Sequence, residues 1–327
     1  MALILTRDDV KSVLTMKDCI DAVEEAFKQL ALGNVVMPTR PTIRIPKYKA
    51  LINAMPAYIG GMEAVGVKLV GGYLDNPTLH GLPVVQATIV LNDGTNGSTL
   101  AVMDGTYITA VRTGAASGVA TKHLATTDAT TVAIIGAGVQ ARTQLAAVCE
   151  VRPISSARVY APSEQHRQEY ATEMSGVLGI DVTPAESAED AVRGAAIVCT
   201  ASTSKTPVLD GTWLEPGVHI NCAGSHSPDA RELDTTTVVR STVVVDSRDA
   251  ALAEAGDLMI PIASGDISED HIRAELGEIV AGMKPGRTDP SEITLFKSQG
   301  LAIQDVATAS LVFRYASEMG IGSQVDL

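Results

Sequence analysis

Ile20, Val23, Phe27 and Leu30 recur at spacings of three and four behind Thr15-Met-Lys-Asp18, and Gly33 closes the run. That period puts the apolar side chains on one helical stripe, with Thr15 and Asp18 placed as a variant of the capping box. From Arg40 to about Asp104 the texture changes to short β-rich runs, 50–57, 64–71, 84–91 and 98–103, broken by Gly, Pro and Asn. A helix is expected over 106–124, and the polar stretch 125–130 reads as a linker. From Thr131 onward strand-like runs at 132–135, 158–161, 196–200, 219–222 and 243–246 alternate with helical ones. Alternation of this kind argues for a parallel, doubly wound sheet. It stops near Leu295, and 304–318 reads as a final amphipathic helix.

One segment adds chemistry to this pattern. Thr131-Val-Ala-Ile-Ile runs straight into Gly136-Ala137-Gly138-Val139-Gln140-Ala141, and Leu145, Val148 and Val151 then recur every third residue. A strand, a glycine turn and a helix in register form the dinucleotide fingerprint. Gly136 allows the tight turn, Gly138 lets a pyrophosphate approach the backbone, and Ala141 lets helix and strand pack closely. About 125 residues precede it, so a separate domain comes first.

Composition narrows the class. A chain of 327 residues suits about two domains. No run approaches the ~20 apolar residues of a membrane span. Met-Ala-Leu-Ile-Leu-Thr-Arg-Asp-Asp at the start has no basic region, so no secretory signal is expected and the cytoplasm is. A net charge of −13, with acids spread along the chain, disfavours nucleic acid and anionic membranes as partners. Cys19, Cys149, Cys199 and Cys222 are isolated, with no metal-ligand spacing, and read as reduced thiols.

A second cluster lies in the first segment. Met55-Pro-Ala-Tyr58, Gly66-Val-Lys-Leu69, Asn76-Pro77, Gly81-Leu-Pro83 and Gln86-Ala-Thr88 precede Met103-Asp-Gly-Thr-Tyr107 and Arg112-Thr-Gly-Ala-Ala-Ser117. With the central fingerprint and Thr294-Leu-Phe-Lys-Ser-Gln-Gly300, in this order over nearly the whole chain, the sequence resembles the ornithine cyclodeaminase/mu-crystallin family. The resemblance implies a Rossmann-type doubly wound domain over 126–299. It also implies an α+β substrate and dimerisation domain over 1–125, with 300–327 a C-terminal helix returning to it. It implies cyclodeaminase, amino-acid dehydrogenase or imine reductase activity, and fold analogy does not choose among them.

The same resemblance marks residues. Lys68 matches the family's active-site lysine, Arg112 its RTGAAS arginine, and Arg40, by spacing before Met55, its carboxylate-binding arginine; Arg44 is a near neighbour. A guanidinium can clamp a carboxylate, and an embedded lysine can hold an anion or give a proton to an imine. Otherwise Lys68 points to solvent from a strand and Arg112 makes a helix-surface ion pair. Thr113, Gly114 and Ser117 are candidate hydrogen-bond donors to cofactor phosphates, with small-residue helix packing the alternative for Ser117. Gly300 is expected to line the cofactor pocket.

Two positions bear on the reaction and the cofactor. In Gly224-Ser-His-Ser-Pro-Asp229, His226 stands where family cyclodeaminases and alanine dehydrogenases carry an aspartate. Asp229 is three residues on and is not expected to replace it. Histidine titrates near neutrality and can donate as well as accept. That shifts the expectation from ammonia lyase to reductase; a solvated loop histidine is the alternative. His80 is expected to be structural. At the tip of the second strand, Pro162-Ser-Glu-Gln-His-Arg167 shows no acid in the place that usually holds a ribose hydroxyl in NAD enzymes. Ser163 and Arg167 can cradle a 2′-phosphate, favouring NADP over NAD, while Glu164 keeps NAD open. Arg142 is either a phosphate ligand or an exposed helix residue.

The expectation is an NAD(P)H-dependent reductase of a small α-imino acid, reversible as an amino-acid dehydrogenase, acting as a homodimer without metal. Arg40, Lys68 and Arg112 bind substrate, with Lys68, Arg112 and His226 catalytic. An ornithine-type cyclodeaminase and a non-catalytic NADPH-binding protein are the rivals.

Overall fold

The computed structural model describes residues 1–326. Its chain divides into two compact units, 1–112 with 301–327 and 113–300.

In the first unit, Ala50–Ile59, Ala64–Tyr73, Val85–Asp93 and Thr99–Asp104 form an antiparallel meander. Ala2–Leu5 adds parallel to Thr99–Asp104, and Ser323–Val325 pairs antiparallel with Ala2–Leu5. At the other edge Val35–Val36 and Thr42–Ile45 both pair with Ala50–Ile59. Helices Met16–Ala31 and Ala302–Met319 pack on one another and on the meander. Ile20, Val23 and Phe27 of the expected stripe are buried there. Thr15 caps the first of these helices, its hydroxyl accepting from the Asp18 backbone N–H at 3.1 Å.

The strands' alternation decides what faces the helices. Ala64, Gly66 and Lys68 are buried on the packed face of their strand, while Leu69 is exposed on the other. Tyr58, opposite Val65 on the neighbouring strand, is exposed on the same outer face as Leu69.

The second unit is an eight-stranded sheet of parallel pairs. Its order is Asp181–Pro184, Ser156–Tyr160, Thr131–Ile135, Ile197–Thr200, His219–Cys222, Ile293–Lys297, Ser241–Val245, Ile272–Glu275. Counting outward from Thr131–Ile135, the chain first winds one way and then the other. The strand order therefore reverses between Thr131–Ile135 and Ile197–Thr200, the place where doubly wound sheets take ligands at their carboxyl ends.

The alternation does end close to Leu295, but with a strand that the periodicity did not mark. Ile293–Lys297 is a strand between His219–Cys222 and Ser241–Val245, all five residues buried. A strand covered on both faces shows no polar alternation, so periodicity does not reveal it. The stretch 125–130 does follow a helix, Gly105–Leu124. The division into units falls inside that helix, between Arg112 and Thr113. A Cβ on Gly114 would sit 2.4 Å from the Thr143 carbonyl oxygen.

Candidate active site

The first unit gathers the expected cations. Lys68 arrives on the middle of its strand and Arg112 on helix Gly105–Leu124. Neither points to solvent: Lys68 is 1% and Arg112 5% exposed. Both meet Asp305, in the first turns of Ala302–Met319. Lys68 Nζ stands 2.7 Å from Asp305 Oδ2, and Arg112 Nε donates to Asp305 Oδ1 at 2.9 Å. Arg112 Nη1 donates to Gln304 Oε1 at 2.5 Å. A substrate carboxylate taking the Nε–Nη2 edge of this guanidinium thus competes with Asp305 for Nε.

Burial is the largest influence on Lys68, followed by the adjacent Arg112 guanidinium; both disfavour its ammonium against the attraction of Asp305. Its pKa falls from 10.5 to about 7. An amine that gains and loses its proton near neutrality is fitted for proton transfer. Arg40, half-buried in the loop before Thr42–Ile45, adds a further repulsion on Lys68. Arg44 lies on that strand, opposite Leu51, and is exposed. Cys19 lies close by: its sulfur is 3.5 Å from the Thr308 hydroxyl, and burial pushes the thiol up to about 12, so it stays protonated.

The second unit carries the glycine turn. Gly136 has φ +115, and a Cβ there would be 2.5 Å from the Ala201 carbonyl oxygen, so only glycine fits between the two central strands. Gly138 is the opposite case: nothing lies within 4 Å of where its Cβ would be. It is also the N-cap of Val139–Val151 and makes no side-chain cap bond. Ala137, Val139 and Gln140 surround it, with Val139 exposed, while Ala141 is fully buried under the turn. Open backbone at an uncapped helix N-terminus, at the point of strand reversal, fits a dinucleotide pyrophosphate. Arg142 braces this turn, donating to the Ala137 carbonyl at 2.7 Å and pairing with Glu173 at 2.7 Å. Thr113 is buried, its carbonyl accepting from Gln144 Nε2 at 3.4 Å. Ser117 is fully buried.

At the second strand's tip, the Ser163 hydroxyl caps Glu164–Leu178 by accepting from the His166 N–H at 3.2 Å. Arg167 Nη1 donates to the Ala161 carbonyl at 3.1 Å, and its Nη2 lies 3.8 Å from Glu186, itself largely exposed. The guanidinium is thereby held at the tip.

His226 lies on the loop after His219–Cys222, and its Nδ1 is 2.9 Å from Gln299 Oε1. Gln299 follows the adjacent strand Ile293–Lys297. That second loop is fixed by buried Asp246, whose Oδ2 accepts from the Gln299 and Gly300 backbone N–H groups, each at 2.7 Å. Gly300 takes φ +78 to make the turn. The His226 loop is anchored too. Fully buried Lys297 lies 3.0 Å from Asp257 and donates to the Ser225 carbonyl at 2.7 Å. The Glu232 carboxylate accepts from the Gly224 N–H at 2.8 Å and the Ser202 N–H at 2.6 Å. Asp229 bonds the neighbouring Ser227 hydroxyl and is exposed. His80 is exposed in the short helix Asn76–His80.

Sequence reasoning did not single out Gln299, Gln304 or Asp305. The signal for the last two was a Gln-Asp pair inside an otherwise apolar stretch, Leu301-Ala-Ile-Gln-Asp-Val-Ala.

A reversing parallel sheet with an open glycine turn, and a separate sheet carrying a buried lysine–arginine–aspartate cluster, define a Rossmann-type, dinucleotide-binding class of α/β protein. The chain belongs to the ornithine cyclodeaminase/mu-crystallin family, whose model matches residues 1–320. Among solved structures it is similar to the Thermococcus litoralis Δ1-pyrroline-2-carboxylate reductase in complex with NADH and L-proline. That likeness has 50% identity and a TM-score of 0.96, covering 99% of this chain and all of that one. It is also similar to an archaeal alanine dehydrogenase dimer with bound NAD, at 37% identity and TM-score 0.94, covering 100% and 99%. Rat ketimine reductase mu-crystallin is 36% identical over 307 residues, 94% of each chain.

Proposed function

We propose that this chain is an NAD(P)H-dependent reductase that converts a small α-imino acid into the L-amino acid. The observation that carries the reading is the buried cluster in which Lys68 and Arg112 share Asp305. It offers positive charge for a carboxylate together with a lysine that titrates near neutrality. The likeness to a pyrroline-2-carboxylate reductase and to a ketimine reductase supports it.

A reduced nicotinamide, when bound, supplies the hydride for the imine carbon. The chain's own part is to hold, orient and protonate. Arg112 and Arg40 attract the substrate carboxylate. Lys68, in its ammonium form, gives a proton to the imine nitrogen as that nitrogen gains an electron pair. His226, held by Gln299, is a second proton-handling group. The Gly136–Ala141 turn holds the pyrophosphate, with Thr113 and Gly300 lining the remainder of the cofactor's site. Ser163 and Arg167 favour a 2′-phosphate and hence NADPH, with NADH accepted.

The exposed apolar outer face of the first unit's sheet, with Ile43, Tyr58 and Leu69, supports a homodimer. Sedimentation equilibrium should give the mass of two chains, and a monomer at micromolar concentration overturns this part. The four free thiols suit the cytoplasm.

The deciding assay follows NADPH and NADH oxidation with cyclic imino acids, and with 2-oxo acids plus ammonia. Ornithine with catalytic NAD runs in parallel. A reductase consumes one cofactor per imine and releases no ammonia. Ammonia and proline from ornithine without net cofactor change would establish a cyclodeaminase instead. Tight cofactor binding with no turnover in either assay would establish a binding protein.

A further inference from the structure

We propose that Asp305 is the positioning residue of the imine-reducing site: its two carboxylate oxygens bridge Lys68 and Arg112 and fix the two cations against each other. This rests on the reductase reading above. The bridge joins three elements, a strand through Lys68, helix Gly105–Leu124 through Arg112 and helix Ala302–Met319 through Asp305. Each oxygen serves one cation, Oδ2 to Lys68 Nζ at 2.7 Å and Oδ1 to Arg112 Nε at 2.9 Å. Gln304, one residue earlier, takes Arg112 Nη1. Consecutive residues of one helical turn therefore hold the guanidinium by two of its nitrogens, which sets its plane.

The charge balance explains why an acid is needed. Asp305 is fully buried and its two partners almost so. Without its carboxylate, two adjacent cations would share a water-poor site with Arg40 nearby, and the lysine would shed its proton. Cys19, close to Arg112 and Asp305, contributes no charge because its thiol stays protonated. Asp305 therefore keeps Lys68 able to donate a proton at neutral pH and leaves the pair with one positive charge for the substrate carboxylate. Its side chain need not touch the substrate.

The test uses the full-length protein and Asp305→Asn, which keeps the shape and removes the charge. The Lys68 ammonium is followed by NMR in protein carrying 15Nζ-lysine, with Lys68→Met giving the assignment. The titration midpoint should drop by about one pH unit, a ~tenfold loss of proton affinity. The high-pH limb of kcat/KM for imine reduction should move down with it. The cofactor Kd should hold. An unchanged midpoint, or an unchanged limb, overturns the proposal. Should Asp305→Asn fail to fold, Arg112→Gln decides: with Asp305 serving lysine alone the midpoint must rise, and a static one overturns the bridge. A wild-type protein that reduces no imine sinks the reductase reading, while the NMR midpoints still decide whether Asp305 governs Lys68.

Discussion

His226 Nδ1 and Gln299 Oε1 lie 2.9 Å apart and tie together the loops that follow two neighbouring parallel strands. An amide oxygen only accepts, so in this bond Nδ1–H donates and Nε2 is left as the ring's other nitrogen. Gln299 is in turn held through its backbone by Asp246. Replacing Gln299 with leucine should leave melting and cofactor affinity unchanged and lower kcat for imine reduction about tenfold, ~1.4 kcal/mol. Steady-state kinetics on the variant check this; full activity removes His226 orientation from the mechanism.

Gly138 has open space where a side chain would be, so valine there should fold without strain in the protein itself. The branched side chain would occupy the path of the pyrophosphate. Gly138→Val is expected to keep the wild-type melting temperature within a few degrees and to lose NADH and NADPH binding together. Fluorescence titration of both cofactors is the measurement. Retained affinity would remove the glycine turn as the binding site.

Lys68 links stability to pH. Its folded pKa, about 7, lies below its ordinary 10.5, so between these values the unfolded chain binds more protons than the native one. Stability from this residue therefore rises with pH across that window and is flat below about 7. Lys68→Met should abolish this rise and lose imine reduction by two or more orders of magnitude, as expected for removal of a general acid (~10²–10⁴). Urea unfolding of both proteins from pH 6 to 10 should give curves that converge at the alkaline end, where the wild-type lysine is neutral. Parallel curves contradict the assignment.

What the sequence made legible depended on whether a pattern broke a rule. The glycine turn stood out because Gly136 and Gly138 interrupt a strand-to-helix run in a fixed register. Lys68 stood out as a charge in the middle of an apolar strand. Ile293–Lys297 had no such contrast, since it is buried on both faces and its one charge, Lys297, is paired inside the unit with Asp257. Short strands such as Asp181–Pro184 carry too few residues for a period to show. Asp305 was hidden for a related reason. The first turns of its helix are buried all round, so there is no polar face against which an acid would look misplaced. Its partners come from a strand and a helix far off in the chain, and only the fold brings them together.

A lysine poised between charged and neutral makes anion capture a proton-coupled event. Burial and the neighbouring Arg112 guanidinium bring Lys68 down to about 7, so it exchanges its proton with the medium near neutrality. An incoming carboxylate favours the ammonium and draws the missing fraction of a proton from the medium. The heat of binding then includes the ionisation heat of whichever buffer gives up that proton, and affinity weakens as the solution becomes more alkaline. If the cluster takes the substrate carboxylate as proposed, the acidity of the medium acts as a second ligand of the site, taken up together with the anion.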